Sequence, residues 1–213
     1  IEDYIKKGQQ ILYLLPEISS TTQIIQKLKN YFGNKISVYH SRYSLNERTE
    51  VWENVKKNKE KSQIVIGARS SIFLPFYDLG LIIVDEEHEV SYKQQEPSPR
   101  YNARDSAIYL SKIYKTKVIL GSATPSIESA FNAKEGKYGL VEIFERYGDI
   151  QMPLIRTLDM RTEPKHEFNS IFSKKLVDEI NKSVDEGGQA ILFRNRRGSV
   201  SYTHLTLPTT SPV

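Results

Sequence analysis

Residues 81–88 read Leu-Ile-Ile-Val-Asp-Glu-Glu-His, an apolar run that stops on three carboxylates and an imidazole. Carboxylates just past a buried strand can act on a phosphoanhydride in two ways. Asp85 can hold Mg²⁺ through water, and Glu86 can align or deprotonate the water that attacks a γ-phosphate. A histidine at position 88 can hydrogen-bond across to a second motif and report nucleotide state. An isolated Asp-Glu pair is more simply a solvated acidic loop; the strand before it and His88 after it favour chemistry. Residues 117–125, Lys-Val-Ile-Leu-Gly-Ser-Ala-Thr-Pro, are a second apolar run ending in hydroxyls. Ser122 and Thr124 can take up a signal from His88 or Glu87. The plain alternative is a strand-to-helix turn with Thr124 or Ser126 as N-cap.

Four further segments offer polar groups. Gly67-Ala68-Arg69-Ser70-Ser71 and Leu15-Pro16-Glu17 can present amides, hydroxyls and the Arg69 charge to a phosphate chain, or serve as ordinary turns. Residues 91–102 form a long connection containing Tyr92, Lys93, Arg100 and Tyr101, followed by Arg104. The tyrosines could stack on bases and the cations meet phosphates, or the rings could cover the edge of the core. Arg194-Asn195-Arg196-Arg197-Gly198 closes the last apolar run with three cations, a feature that solubility alone explains.

The elements that must position these groups alternate. Strands are expected at residues 11–15, 36–39, 63–66, 81–84 and 118–120, and helices at 22–32, 45–55, 103–114 and 126–133. Ser44 and Glu47 have the spacing of a capping box before the second of those helices. Such alternation is the signature of βαβ units and a parallel sheet with helices on both faces. The runs at 81–84 and 117–120 read as strands buried on both faces. In such sheets ligands bind beyond the carboxyl ends of the strands, so the acids and the Ser/Thr pair fall on one edge. The opening residues, with Ile1, Tyr4 and Ile5 in helical spacing and a stop at Gly8, begin mid-element, as a piece of a longer protein would. Further on, strands are expected at 141–144, 154–158 and 190–193, a helix at 172–184 and a break at Gly187-Gly188.

Composition narrows the classes. With 213 residues, 38% hydrophobic and 26% charged, the chain can build a core. No apolar run approaches the ~18 residues of a membrane span, and no basic-then-apolar leader opens the chain. There is no Cys, and the four His (His40, His88, His166, His204) never take a His-x-x-x-His form, so disulfides, thiolate metal sites and a zinc site are not expected. A net charge of +4 permits nucleic-acid binding without requiring it.

Asp-Glu-Glu-His, Gly-Ser-Ala-Thr-Pro and Asn-Arg-Arg-Gly, in this order, resemble the motifs of superfamily-two helicases. Leu-Leu-Pro-Glu-Ile, His40-Ser41, Gly-Ala-Arg-Ser with Ile72-Phe73 and Pro75-Phe76, and Ser-Tyr-Lys-Gln-Gln-Glu followed by Arg-Tyr narrow the resemblance to bacterial primosomal replication-restart DNA helicases. It spans about residues 1–198 and implies a RecA-like fold, ATP with Mg²⁺, and 3′-to-5′ unwinding at stalled forks. It also implies DNA, primosome-loading proteins and single-strand-binding protein as partners, in the bacterial cytoplasm at the nucleoid, with no membrane. By the resemblance, Asp85 and Glu86 match the Mg²⁺/water motif and Ser122 and Thr124 the coupling motif, while residues 92–101 are an aromatic-rich loop linking DNA contact to hydrolysis.

Departures accompany it. No Gly-x-x-x-x-Gly-Lys-Ser/Thr phosphate loop occurs in the chain; in the family it would precede Ile1. The zinc-binding cysteines expected after Gly198 are absent, as are the arginine-bearing motifs of a second lobe. The expected organisation is a first helicase lobe at 1–145 without its phosphate-loop segment, a connector at 146–170, the start of a second lobe at 171–198, and a foreign or disordered tail at 199–213. Asp85, Glu86 and His88 are the expected catalytic residues; Glu87, Ser122 and Thr124 couple. Arg69, Ser70, Tyr92, Lys93, Arg100, Tyr101, Arg104, Arg196 and Arg197 are expected to meet nucleic acid. Two rivals remain: another superfamily-two translocase or RNA helicase, and a non-catalytic nucleic-acid-binding lobe.

Overall fold

The computed structural model describes residues 1–16, 21–145, 148, 152–162 and 172–193. It divides into two compact units, Ile1–Glu142 and Ile143–Val213. The first contains five parallel strands, β1 (Gln10–Leu14), β2 (Ile36–Tyr39), β3 (Ile64–Gly67), β4 (Leu79–Val84) and β5 (Lys117–Leu120), in the order β2-β3-β1-β4-β5. Parallel pairing puts the carboxyl ends of all five on one edge. The register places Leu14 opposite Gly67 and Val84, and Val84 opposite Leu120.

The strands form because their apolar residues supply both faces. Leu12 and Leu14 of β1, Val65 of β3 and Ile82 and Val84 of β4 point to one side, where they pack with Val55, Ile72, Phe76, Ala103 and Ala107. Ile11, Ile64, Ile66 and Leu81 point to the other, against Ile24, Ile25, Leu28 and Phe32 of a helix. This is the period-two alternation of a pleated strand, with each fully buried aliphatic side chain stabilising by about 1.5–3 kcal/mol.

Five helices accompany the sheet: α1 (Glu2–Lys6), α2 (Thr21–Phe32), α3 (Leu45–Lys56), α4 (Ala103–Tyr114) and α5 (Ile127–Lys134). The capping box expected before α3 is present: Ser44 Oγ accepts from the Glu47 amide at 3.3 Å, and Glu47 Oε2 accepts from the Ser44 amide at 2.8 Å. Asn102 caps α4 through its side-chain oxygen, and Ser126, not Thr124, caps α5. Both caps lie at the site edge, so helix starts and site share one set of loops.

Three expectations are corrected. First, β5 is not buried on both faces: Val118 and Leu120 pack on the core, but Ile119 is 53% exposed. Among the described residues β5 pairs only with β4, so it is an outer strand with one covered face. Second, residues 141–144 and 154–158 form no strand, and Val141, Ile143, Phe144, Leu154 and Ile155 are exposed. Third, residues 190–193 form none either, with Ile191 and Phe193 exposed. A short apolar run becomes a strand only with a neighbour to complete its ladder, and local sequence does not carry that neighbour.

The second unit contains α6 (Lys174–Asp185), capped where Ser173 Oγ accepts from the Leu176 amide at 3.1 Å. The helix closes at its C-cap, Glu186, and the next residue, Gly187, takes φ +77°. That left-handed conformation, which suits glycine, ends the helix at the break expected of the glycine pair.

Candidate nucleotide and nucleic-acid site

The four residues after β4 make a turn at the carboxyl edge, and the physical chemistry of each is different. Asp85 is held from every side. Its amide continues the ladder to the Leu14 carbonyl at 3.0 Å, and its own carbonyl accepts the Tyr92 hydroxyl at 2.6 Å. Its carboxylate accepts the Tyr13 hydroxyl on Oδ2 at 2.9 Å and the Glu86 amide on Oδ1 at 3.0 Å. Each oxygen keeps a lone pair, and the residue is only half-buried, so a hard cation or its water can still be met there. Among the described residues no group of three or more His, Cys, Asp or Glu side chains could hold a metal by itself. Mg²⁺ suits such a site, because it is usually bound through one or two carboxylates together with substrate phosphates and water.

Glu86 is exposed and sits at φ +47°, a region that costs a non-glycine residue about 1–2 kcal/mol. That backbone turns the Glu86 carboxylate outward while the next residue turns in. Beside it, His88 Nδ1 stands 2.7 Å from Ser122 Oγ and 3.7 Å from Glu86 Oε2, and Nε2 is 3.4 Å from Thr124 Oγ1. The Thr124 amide donates to Ser122 Oγ at 3.0 Å, which leaves the Ser122 proton free to point at the imidazole. The acidic turn after β4 and the hydroxyl turn after β5 are thus joined by one histidine.

Glu87 is 3% exposed and serves as the lock of the edge. Its carboxylate accepts the Ser126 amide at 2.7 Å, the Ser126 hydroxyl at 3.0 Å, the Ser129 hydroxyl at 2.8 Å and Arg104 Nη1 at 3.2 Å. Burial pushes this carboxyl up, but the Ser126 amide, the two hydroxyls and Arg104 outweigh it and hold it below the usual carboxylate range. The Glu87 amide also donates to the Gly121 carbonyl at 3.0 Å. Glu87 therefore ties β4, β5, α4 and the start of α5 together. Its partners are Ser126 and Ser129 rather than Ser122 and Thr124.

The connection from β4 to α4 is ordered by two anchors, one buried and one half-buried. Tyr92 is 1% exposed, and its hydroxyl donates to the Leu14 and Asp85 carbonyls at 3.0 and 2.6 Å. Burial, followed by the charge of Asp85, pushes this phenol far up. With no face open to a base, Tyr92 is a core anchor, which corrects the stacking expected of it. Arg69 is the second anchor: Nη1 donates to the Ser91 and Lys93 carbonyls at 3.1 and 3.3 Å. Arg104, expected to meet phosphate, is instead engaged by Glu87, by Asp105 at 2.9 Å and by Ser126 at 2.7 Å, with its side chain 11% exposed.

What stays available on this face is a smaller set. Tyr101 is half-buried and meets Phe73 edge-on, with centroids 4.7 Å apart and planes at 73°. Phe73 is 62% exposed at the end of a 3₁₀ turn, Arg69–Phe73, that leaves β3. Ser70 and Arg100 are exposed, and Lys93 Nζ reaches the Arg100 carbonyl at 2.8 Å. Arg196 and Arg197 lie outside the described residues.

Two residues of this edge were not named as site residues from the sequence, Phe73 having entered only within a family motif. Phe73 could have been found as an aromatic directly after a buried isoleucine in a Ser-rich turn. Tyr13 gave a weaker signal, a lone polar tip at an alternating position in an apolar strand.

A five-stranded parallel sheet with an acid-bearing turn and a hydroxyl-bearing turn side by side on its carboxyl edge is a helicase-type α/β domain of RecA-like fold. Residues 1–132 match the DEAD/DEAH box helicase family, and the chain belongs to that family. The chain is similar to replication restart protein PriA of Bacillus subtilis (strain 168), 41% identical over 202 residues, which cover 95% of this chain and 25% of that protein. It is likewise 44% identical over 198 residues to PriA of Rickettsia prowazekii (strain Madrid E), covering 93% of this chain and 30% of that one. The chain thus spans between a quarter and a third of the length of these relatives. Among solved structures, the C-terminal domain of S. cerevisiae Dbp5 matches with a TM-score of 0.41 at 13% identity, covering 70% of this chain and 77% of that one. No helix of the described residues is long and apolar enough to cross a membrane.

Proposed function

We propose that the full-length protein is an ATP-dependent DNA helicase acting in replication restart, and that this chain supplies most of its first motor lobe and the start of the second. The observation that carries the reading is the junction of the two turns: Asp85 and Glu86 after β4, linked through His88 to Ser122 after β5. The likeness to PriA at 41–44% identity over nearly the whole chain points the motor to restart.

Bound Mg²⁺ would neutralise charge on the β- and γ-phosphates. Asp85 would face it through water, with a carboxylate already fixed at both oxygens. Glu86, exposed and turned outward, would align or deprotonate the attacking water. His88 sits between Glu86 and Ser122, so a change in what Glu86 contacts alters the partner left for Ser122 and Thr124. Glu87 and Arg104 hold the frame within which those smaller changes occur. Phe73 and Tyr101 would offer stacking faces to single-stranded DNA, with Ser70, Lys93 and Arg100 toward its phosphates and Arg69 fixing the loop. Movement from 3′ to 5′, primosome-loading proteins and single-strand-binding protein as partners, a zinc site elsewhere in the protein, and a place at the bacterial nucleoid complete the reading. Arg196 and Arg197 would serve the inter-lobe cleft or DNA.

The test is unwinding of a forked DNA by the full-length protein with ATP and Mg²⁺, alongside hydrolysis with and without single-stranded DNA. DNA-stimulated hydrolysis with strand separation is expected. Hydrolysis indifferent to DNA overturns the reading, and stimulation by RNA alone would move the protein to another branch of the family. The 213-residue chain by itself is expected to hydrolyse no ATP, because no phosphate loop supplies the amides and lysine that hold the phosphates.

A further inference from the structure

We infer that Tyr13 is a positioning residue for the Asp85 carboxylate, holding it in the orientation from which it can meet a divalent cation or that cation's water. The inference rests on the reading of Asp85 as the metal-facing group of the nucleotide site. Tyr13 lies on the central strand β1, in register with Ile83 of β4, and its hydroxyl crosses to Asp85 Oδ2 at 2.9 Å. A carboxylate turns easily about its last torsion, which has broad wells. The Glu86 amide on Oδ1 and the Tyr13 hydroxyl on Oδ2 together remove that freedom.

The main chain of Asp85 is secured separately, by the Leu14 carbonyl and the Tyr92 hydroxyl. Loss of the Tyr13 hydroxyl would therefore release the carboxylate without releasing the turn. The Tyr13 ring packs with the cluster on the α2 side of the sheet, so phenylalanine preserves the packing and deletes only the hydrogen bond. On its other flank the carboxylate faces Gly121, where a Cβ would stand 3.6 Å from Oδ1. Gly121 adds no side chain beside Oδ1, while Tyr13 holds Oδ2. Partners that orient a metal-facing group in this way typically contribute ~10–100-fold in metal affinity.

The experiment measures Mn²⁺ binding by electron paramagnetic resonance in the full-length protein loaded with a non-hydrolysable ATP analogue. Tyr13→Phe is expected to weaken Mn²⁺ binding about tenfold, with the fold and the analogue's own affinity retained. In an Asp85→Ala background the same substitution should do nothing further. Tyr13→Leu, which removes ring and hydroxyl together, should lose the same Mn²⁺ affinity whatever it does to stability. Unchanged Mn²⁺ binding in Tyr13→Phe, with Asp85→Ala clearly impaired, overturns the role of Tyr13 alone. Unimpaired binding in Asp85→Ala overturns the reading of the site instead. An effect of Tyr13→Phe that persists in the Asp85→Ala background shows the hydroxyl to be merely structural.

Discussion

Glu86 and Glu87 are neighbours in the chain and identical in chemistry, yet the fold gives them opposite surroundings. Glu86 is exposed, at a positive φ, with only His88 in ion-pair range among the described residues. Glu87 is buried beneath Arg104, Ser126 and Ser129, and its carboxylate accepts four hydrogen bonds from them. The difference shows how one turn divides its labour: a carboxylate bound by four donors fixes the edge of the sheet, and the one beside it is left exposed, in the orientation the proposed water-aligning role requires. The same contrast separates Tyr92, whose hydroxyl anchors backbone inside the core, from Tyr101, which keeps an open side next to Phe73.

Substitutions at the two glutamates are the sharpest way to break that contrast. Glu86→Gln in the full-length protein should lower ATP hydrolysis by about 10²–10⁴-fold, with analogue binding and unfolding midpoint retained. A variant within a factor of a few of the parent in a steady-state assay would move the water-aligning role elsewhere. Glu87→Ala should act on stability: it takes the buried carboxylate away from Arg104 and from the Ser126 and Ser129 hydroxyls and is expected to cost roughly 3 kcal/mol, a fall of about 10 °C in the unfolding midpoint. The pH dependence should follow. Because the folded Glu87 carboxyl lies below its ordinary value of 4.5, its contribution is in place above that value and is lost as pH falls through the depressed one. The stability advantage of the parent over Glu87→Gln, followed by circular dichroism, should therefore be full above pH 4.5 and shrink as the pH falls below it.

The tyrosine contrast is tested by affinity. Replacing Phe73 and Tyr101 together by Ala should weaken single-stranded DNA binding by about 1–3 kcal/mol per stacked base, while folding is retained. Tyr92→Phe should leave DNA affinity alone and lower the midpoint instead. The reverse result in a fluorescence titration would exchange their roles. The smallest effect is expected at Ser122→Ala, which removes one hydrogen bond to His88 worth about 1 kcal/mol. It should reduce DNA stimulation of hydrolysis roughly fivefold without lowering the DNA-independent rate; an equal fall in both rates would make Ser122 part of the hydrolytic site rather than the link.

The sequence by itself determined the five parallel strands, the capping box at Ser44 and Glu47, the N-cap at Ser126 as one of two choices, and the arrival of Asp85, Glu86 and Ser122 at one edge. Each follows from residues within a few positions of one another: β-branched runs, cap spacings, and the rule that βαβ units align their strand ends. Only the tertiary structure decided which glutamate faces in, that Tyr92 is an anchor, that Arg104 answers Glu87, and that Tyr13 grips Asp85. Those choices depend on partners far apart in the chain, 72 residues for Tyr13 and Asp85 and 39 for Glu87 and Ser126. No local pattern encodes which of two adjacent carboxylates will meet them. The same reason explains the apolar runs at 141–144, 154–158 and 190–193: a strand's hydrogen bonds are completed by another segment, so its own residues state a capacity and the fold decides whether it is used.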